Sequence, residues 1–201
     1  MMVVVVTGGI GSGKSVVCRI LNEKYGWPVY DADARVKQLY VSHPSLLADI
    51  ECALGESFRS ADGVFEPKAL AGRIFSDSLA LAMVERLVFP CLTEDFECWK
   101  EAYSASEHVV LESATILEKP QLRGLGDVYV LVDAPVDVRC ARAASRDGVG
   151  PEEIMRRMSC QKMLNAFSDG RQSAPVDYVI GNDSTPENLV AKVDDLVSKM
   201  G

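Results

Sequence analysis

The residues Val3-Val4-Val5-Val6-Thr7-Gly8-Gly9-Ile10-Gly11-Ser12-Gly13-Lys14-Ser15 decide the fold. Four consecutive valines bounded by Gly8 and Gly9 have the length and β-branching of a strand buried on both faces. Residues 15–25 then read as a helix, closed by Gly26 and the nearby Pro28. Between strand and helix stands Gly-x-x-x-x-Gly-Lys-Ser, at the junction where that pattern works. Glycines let successive backbone N–H groups point inward, forming an anion nest at the positive end of a helix. The expected ligand is a nucleotide, bound by Gly9, Ile10, Gly11, Ser12, Gly13, Lys14, Ser15 and Val16. Lys14 is expected to reach the β- and γ-phosphates and Ser15 to coordinate magnesium.

Working outward, Val29-Tyr30 resumes a strand that delivers Asp31 and Asp33 at its far end. Strand, helix and strand within so short a stretch make a βαβ unit and predict a parallel sheet. Further strands are expected at 109–111, 128–132 and 178–180. Helices are expected at 34–40, 44–54, 67–75, 78–88, 90–103, 136–146, 151–167 and 186–200. The expected fold is therefore α/β: a P-loop NTPase fold with a parallel sheet flanked by helices, a helical acceptor-binding insertion and a helical lid. Residues 1–33, 105–135 and 168–201 would form the nucleotide-binding core, 34–104 the helical acceptor side and 136–167 the lid.

Composition bounds the function. Of 201 residues, 48% are apolar and 25% charged, ordinary for a globular chain able to bury its own core. A net charge of −8 opposes a general nucleic-acid or anionic-membrane surface. The six cysteines include no Cys-x-x-Cys pair, and only His43 and His108 accompany them, so no zinc ligand set is recognisable. No haem or flavin is expected either. Residues 1–6 lack a basic flank and stop at glycines, which fits neither a signal peptide nor a membrane span. Reduced thiols and a cytoplasmic setting are expected, with the oligomeric state open and a monomer favoured.

The Asp31-Ala32-Asp33 segment lies where open α/β sheets bind ligands, beyond the carboxyl ends of strands. A phosphoryl acceptor hydroxyl needs a carboxylate to orient it and take its proton, and Asp33 is the first choice, Asp31 the second. A solvated turn or helix cap is the alternative for Asp33. Arg139, Arg142 and Arg146 share one helix face. Residues 135–162 carry six basic and four acidic side chains, a net +2 inside a chain of −8. That reversal suits a lid that neutralises phosphates as it closes, with Gly148 and Gly150 at its tip. Arg142 and Arg146 are the expected phosphate contacts and count with Asp33 and Lys14 as catalytic candidates. Arg139 would pair with Asp137 or with solvent. Glu112 or Glu118 would complete the magnesium shell. In the helical insertion Lys37, Arg73 and Arg35 would meet an anionic acceptor, while Phe75, Phe89 and Trp99 would line an apolar wall. Core packing is the alternative for each aromatic. Cys91 and Cys98 share a helix face and read as small buried apolar residues.

The guanine-base signature Asn-Lys-x-Asp is absent, and the one Asp-x-x-Gly, Asp147 to Gly150, follows an arginine-bearing helix instead of a strand. A GTPase is thereby disfavoured and a small-molecule kinase favoured. At this point the sequence resembles the dephospho-CoA kinase family. The resemblance rests on TGGIGSGKS at 7–15, DAD at 31–33, and Leu70 with Ile74-Phe75. It continues through Arg142, Arg146, Arg157 and Gln161, and ends with Asp177-Tyr178-Val179-Ile180-Gly181-Asn182. These islands span 3–185. The resemblance implies transfer of the γ-phosphate of ATP, with Mg2+, to the ribose 3′-hydroxyl of dephospho-CoA, the last step of coenzyme A synthesis. It makes Asp33 the carboxylate for that hydroxyl, the 34–104 helices the CoA side, and Asn182 part of the segment near the ATP base. Two positions depart from the family's usual pattern: Phe89 precedes Pro90 where histidine is common, and Ala114 to Glu118 replaces a Pro-Leu-Leu-x-Glu run. The alternatives are another P-loop kinase acting on a nucleoside, nucleotide or metabolite, and an ATP-binding regulatory protein with little turnover.

Overall fold

The valine run becomes the central strand of a five-stranded parallel sheet. In this computed structural model β1 (Met2–Gly8) pairs with β3 (His108–Glu112) on one side and β4 (Val128–Asp133) on the other. Val3 to Val6 are buried, as a strand covered on both faces requires. With β2 (Val29–Asp31) and β5 (Tyr178–Gly181) at the edges, the order is β2-β3-β1-β4-β5. The structure describes residues 1–162, 164, 167 and 175–200.

The chain divides into two compact units. One comprises Met1–Asp31 with Lys100–Gly201 and contains the sheet; the other, Ala32–Trp99, is built of helices. In the first unit, α1 (Lys14–Tyr25) and the C-terminal helix α8 (Pro186–Met200) cover one face of the sheet. Val17, Cys18 and Leu21 of α1 and Leu189, Val193 and Leu196 of α8 close over Val4, Val6, Val110, Val130, Val132 and Ile180. Asp194 of α8 accepts both Lys24 Nζ and Tyr25 Oη at 2.6 Å, fastening the two helices where α1 ends. After β4 come α6 (Val136–Asp147) and α7 (Pro151–Ser159), turned at Gly148, whose φ of 65° suits glycine. Cys140 and Ala143 of α6 pack on Ile154 and Met158 of α7.

The helical unit contains α2 (Ala32–Ser42), α3 (Pro44–Leu54), α4 (Pro67–Ser76) and most of α5 (Ser78–Ala102). The expected helices 78–88 and 90–103 are one. Pro90 stands inside α5, where a proline removes a backbone hydrogen bond and costs about 3 kcal/mol. A stripe of buried residues, Ala80, Val84, Val88, Leu92 and Phe96, steps by four through the proline and holds the helix together. Pro90 itself faces outward, so the carbonyl it strands can meet solvent.

Other expectations need correction. The helix anticipated over 151–167 stops at Ser159, and Cys160 and Gln161 interrupt it. Parts of that stretch and of the boundary between lid and core, residues 163, 165, 166 and 168–174, lie outside the described residues. Two 3₁₀ turns, Ile116–Glu118 and Pro120–Leu125, fill a segment in which no element was expected. Cys91 is half-buried and Cys98 exposed, so the pair is not a buried apolar face. All six cysteines are free. Among the described residues no helix is long and apolar enough to cross a membrane.

Candidate active site

Parallel pairing lines up the carboxyl ends of the strands. Val6 lies opposite Glu112 of β3, and Glu112 opposite Asp31 of β2. From this edge β1 runs into the glycine loop. Ser12 N–H donates to Gly9 O at 3.0 Å, and Gly13 takes a left-handed φ of 95° as the cap of α1. A side chain at 13 is barred twice: by that φ, and because its Cβ would lie 2.1 Å from Asn182 Nδ2. Among the described residues no side chain caps α1, and its first turn holds no acidic residue. The helix therefore offers its initial N–H groups and its positive end to a ligand.

Three residues from distant parts of the chain lie against the loop, and two of them hydrogen-bond to it. Gln161 Oε1 accepts Ile10 N–H at 2.9 Å, while its Nε2 donates to Ala114 O at 3.3 Å, beyond β3. Asn182 Nδ2 donates to Ser12 O at 2.8 Å, and Asn182 O accepts Arg142 Nη1 at 3.0 Å. Ile10 also packs onto the apolar contact between α6 and α7. The third is Arg139. It was expected on the surface, paired with Asp137 or solvent, yet it is 1% exposed while Asp137 is exposed. The reason is helical phase: Arg139, Cys140 and Ala143 make up the buried face of α6. Its guanidinium lies against Gly9 and its carbonyl against Gly11.

The structure brings Ser15 and Glu112 together, with Ser15 Oγ donating to Glu112 Oε1 at 2.6 Å. Glu112 is buried and Ser15 exposed, and with its proton given to the carboxylate the hydroxyl keeps its lone pairs for another partner. An oxygen pair of this kind fits Mg2+, which keeps most of its shell as water and phosphate and takes one or two protein oxygens. No group of three or more His, Cys, Asp or Glu able to hold a metal stands among the described residues. Cys18 lies under the pair; burial first, then the Glu112 charge, pushes its thiol pKa well up, which keeps it protonated. Glu118, the other candidate, closes the first 3₁₀ turn.

Arg146 is exposed and forked onto Asp147, at 2.7 Å from Nε, and Arg157 reaches the same carboxylate at 3.0 Å. The Arg146 hydrogen bond, opposed by some burial, holds the Asp147 carboxyl below its usual range. In the helical unit Asp33 sits in the first turn of α2, where a carboxylate favours the helix start. Lys37 and Phe75 are exposed, Phe75 at 80%. Arg73 is engaged locally, with Glu56 at 2.7 Å and Asp77 at 2.6 Å. Phe89 is half-buried, and Trp99 stacks on Phe96 with ring centres 6.0 Å apart.

Arg139 and the bracing roles of Gln161 and Asn182 were not evident from sequence. For Arg139 a signal existed, since it falls on the face that Cys140 and Ala143 mark as buried.

A family model described as dephospho-CoA kinase matches residues 2–188. A dephospho-CoA kinase from Porphyromonas gingivalis is 35% identical over 193 residues, 96% of this chain and 91% of that protein. One from Chlorobium chlorochromatii is 34% identical over 206 residues, covering 99% and 93%. Among solved structures, a Thermus thermophilus protein superposes with a TM-score of 0.79 at 26% identity, covering 100% of this chain and 98% of its own. The dephospho-CoA kinase from Campylobacter jejuni gives 0.66 at 16% identity, covering 98% and 96%, and at that identity speaks to the fold alone.

Proposed function

Because the chain belongs to the dephospho-CoA kinase family, we propose that it transfers the γ-phosphate of ATP to the ribose 3′-hydroxyl of dephospho-CoA, giving coenzyme A and ADP. The observation that carries the phosphotransfer part of the reading is the Ser15–Glu112 hydrogen bond at the mouth of the glycine loop, and the acceptor comes from the family. It supplies oxygen donors beside a helix start already open to phosphate.

In this mechanism the loop N–H groups hold the β-phosphate and Lys14 spans the β- and γ-phosphates. Bound Mg2+ would neutralise charge on the β- and γ-oxygens, held by Ser15 with Glu112 behind it. Asp33 orients the acceptor hydroxyl and accepts its proton as the oxygen bonds to the γ-phosphorus and the bond to ADP breaks. Arg142 and Arg146 stabilise the charge on the transferred group, Arg146 exchanging Asp147 for phosphate. Asn182 serves the nucleotide by holding Ser12 O, and the segment around it lies near the base. Lys37 and Phe75 are the exposed candidates for the acceptor's anionic and apolar parts, and Arg73 would join them only by leaving Glu56 or Asp77. The setting is proposed to be cytoplasmic and the working form a monomer.

The test is mass spectrometry of a reaction containing protein, Mg-ATP and dephospho-CoA, with nucleosides and nucleotides as rival acceptors. The reading requires an acceptor heavier by one phosphoryl group, equimolar ADP, and no comparable product from the rivals. D33N should lower kcat by roughly 10²–10⁴-fold, the usual contribution of a general base, with Mg-ATP affinity kept. A phosphorylated rival with dephospho-CoA untouched would contradict the reading.

A further inference from the structure

Four buried side-chain polar atoms lack a hydrogen-bond partner among the described residues: Thr7 Oγ1, Ser12 Oγ, and Nε and Nη2 of Arg139. Thr7 and Ser12 belong to the stretch that forms the phosphate loop, and Arg139 presses on it. A Cβ at Gly9 would stand 1.8 Å from Arg139 Nη1 and 3.0 Å from its Cζ. Gly9 is not among the glycines with positive φ, so its smallness answers to the guanidinium and not to the backbone. At 1% exposure Arg139 has no room to swing aside.

A buried guanidinium with donors unmet is expensive, and it is normally compensated by an opposite charge. Asp133 supports the charged form electrostatically, but burial outweighs it and draws the Arg139 pKa down. The strongest opposite charge that reaches this loop is the nucleotide's own polyphosphate. Charges in such a dry setting interact over several ångströms with little screening. A charge against the loop therefore favours an anion in it without touching that anion.

We propose that Arg139 is a positioning residue for the nucleotide phosphates, its guanidinium, pressed on Gly9, being a built-in counter-charge to the anion the loop receives. The proposal rests on the reading that this loop takes ATP. Arg139 acts through the loop, unlike Lys14, which reaches the phosphates, and its charge is costly while the loop is empty.

The experiment is titration calorimetry of wild type, R139M and R139K with Mg-ADP and with adenosine, alongside thermal melting of the ligand-free proteins. R139M keeps the length and apolar stem but loses the charge. It should bind Mg-ADP at least about tenfold more weakly, bind adenosine as wild type does, and melt no lower than wild type when empty. R139K should recover most of the Mg-ADP affinity. Wild-type Mg-ADP binding by R139M would overturn the proposal. So would an equal loss for ADP and adenosine, or an R139M that melts early or fails to fold, because each makes Arg139 a packing element. A wild-type protein that binds no Mg-ADP would instead remove the ATP reading on which the proposal rests.

Discussion

Ser15 and Glu112 are 97 residues apart, and a parallel register places their oxygens 2.6 Å from each other. The hydroxyl's partner was legible only as one of two carboxylates, because strand order is not written in either strand. The loop was legible residue by residue, since its chemistry is local. Arg139 was misread because charge spacing was weighed before the apolar face it shares. If Glu112 fixes the Ser15 proton, E112Q should raise the magnesium needed for half-maximal activity by about 10–100-fold. Kinetics across a magnesium titration at saturating nucleotide check this, and an unchanged requirement would free Ser15 from that partner.

At the scale of elements, α5 shows how packing overrides a local signal. Pro90 reads as a helix break, yet the buried stripe on either side of it is longer than the defect. Because Pro90 is exposed and alanine restores the missing N–H as well as removing the ring, P90A should stabilise the protein by roughly 1–3 kcal/mol. Thermal melting reads this as a rise of several degrees; a fall would mean the proline sets a bend the packing needs.

The same helix starts on Asp77, whose Oδ1 accepts Leu79 N–H at 2.8 Å and whose Oδ2 accepts Arg73 at 2.6 Å. The Arg73 hydrogen bond, then the backbone N–H groups of Ala80 and Leu79, hold its carboxyl below the ordinary value. With the folded value depressed, Asp77 contributes stability above its unfolded pKa of about 3.9, and that contribution is lost as pH falls through the folded value. D77N should therefore lower the melting temperature at pH 7 and cost progressively less as pH drops below about 4. A deficit independent of pH would assign the effect to packing.

Over the whole molecule, the sheet, its parallel sense and nearly every helix were legible. Val3 to Val6, the βαβ spacing and the prolines that open helices at 44, 67, 151 and 186 each carry local signals that agree with the final structure, while Pro90 starts no helix. Less visible was everything that depends on one segment meeting another: the strand order, the clamp of Gln161 and Asn182 on the loop, and the burial of Arg139. The helical unit of the structure runs Ala32–Trp99, whereas the sequence reading places its helical stretch at 34–104. The proposed acceptor rests on family membership, which the fold alone does not supply.

Phosphorus NMR of the product formed from dephospho-CoA and Mg-ATP decides the proposed reaction. One new phosphomonoester, coupled to the ribose 3′ proton, should appear in step with ADP. ATP turnover with no new phosphomonoester on dephospho-CoA, or one at another hydroxyl, would contradict it.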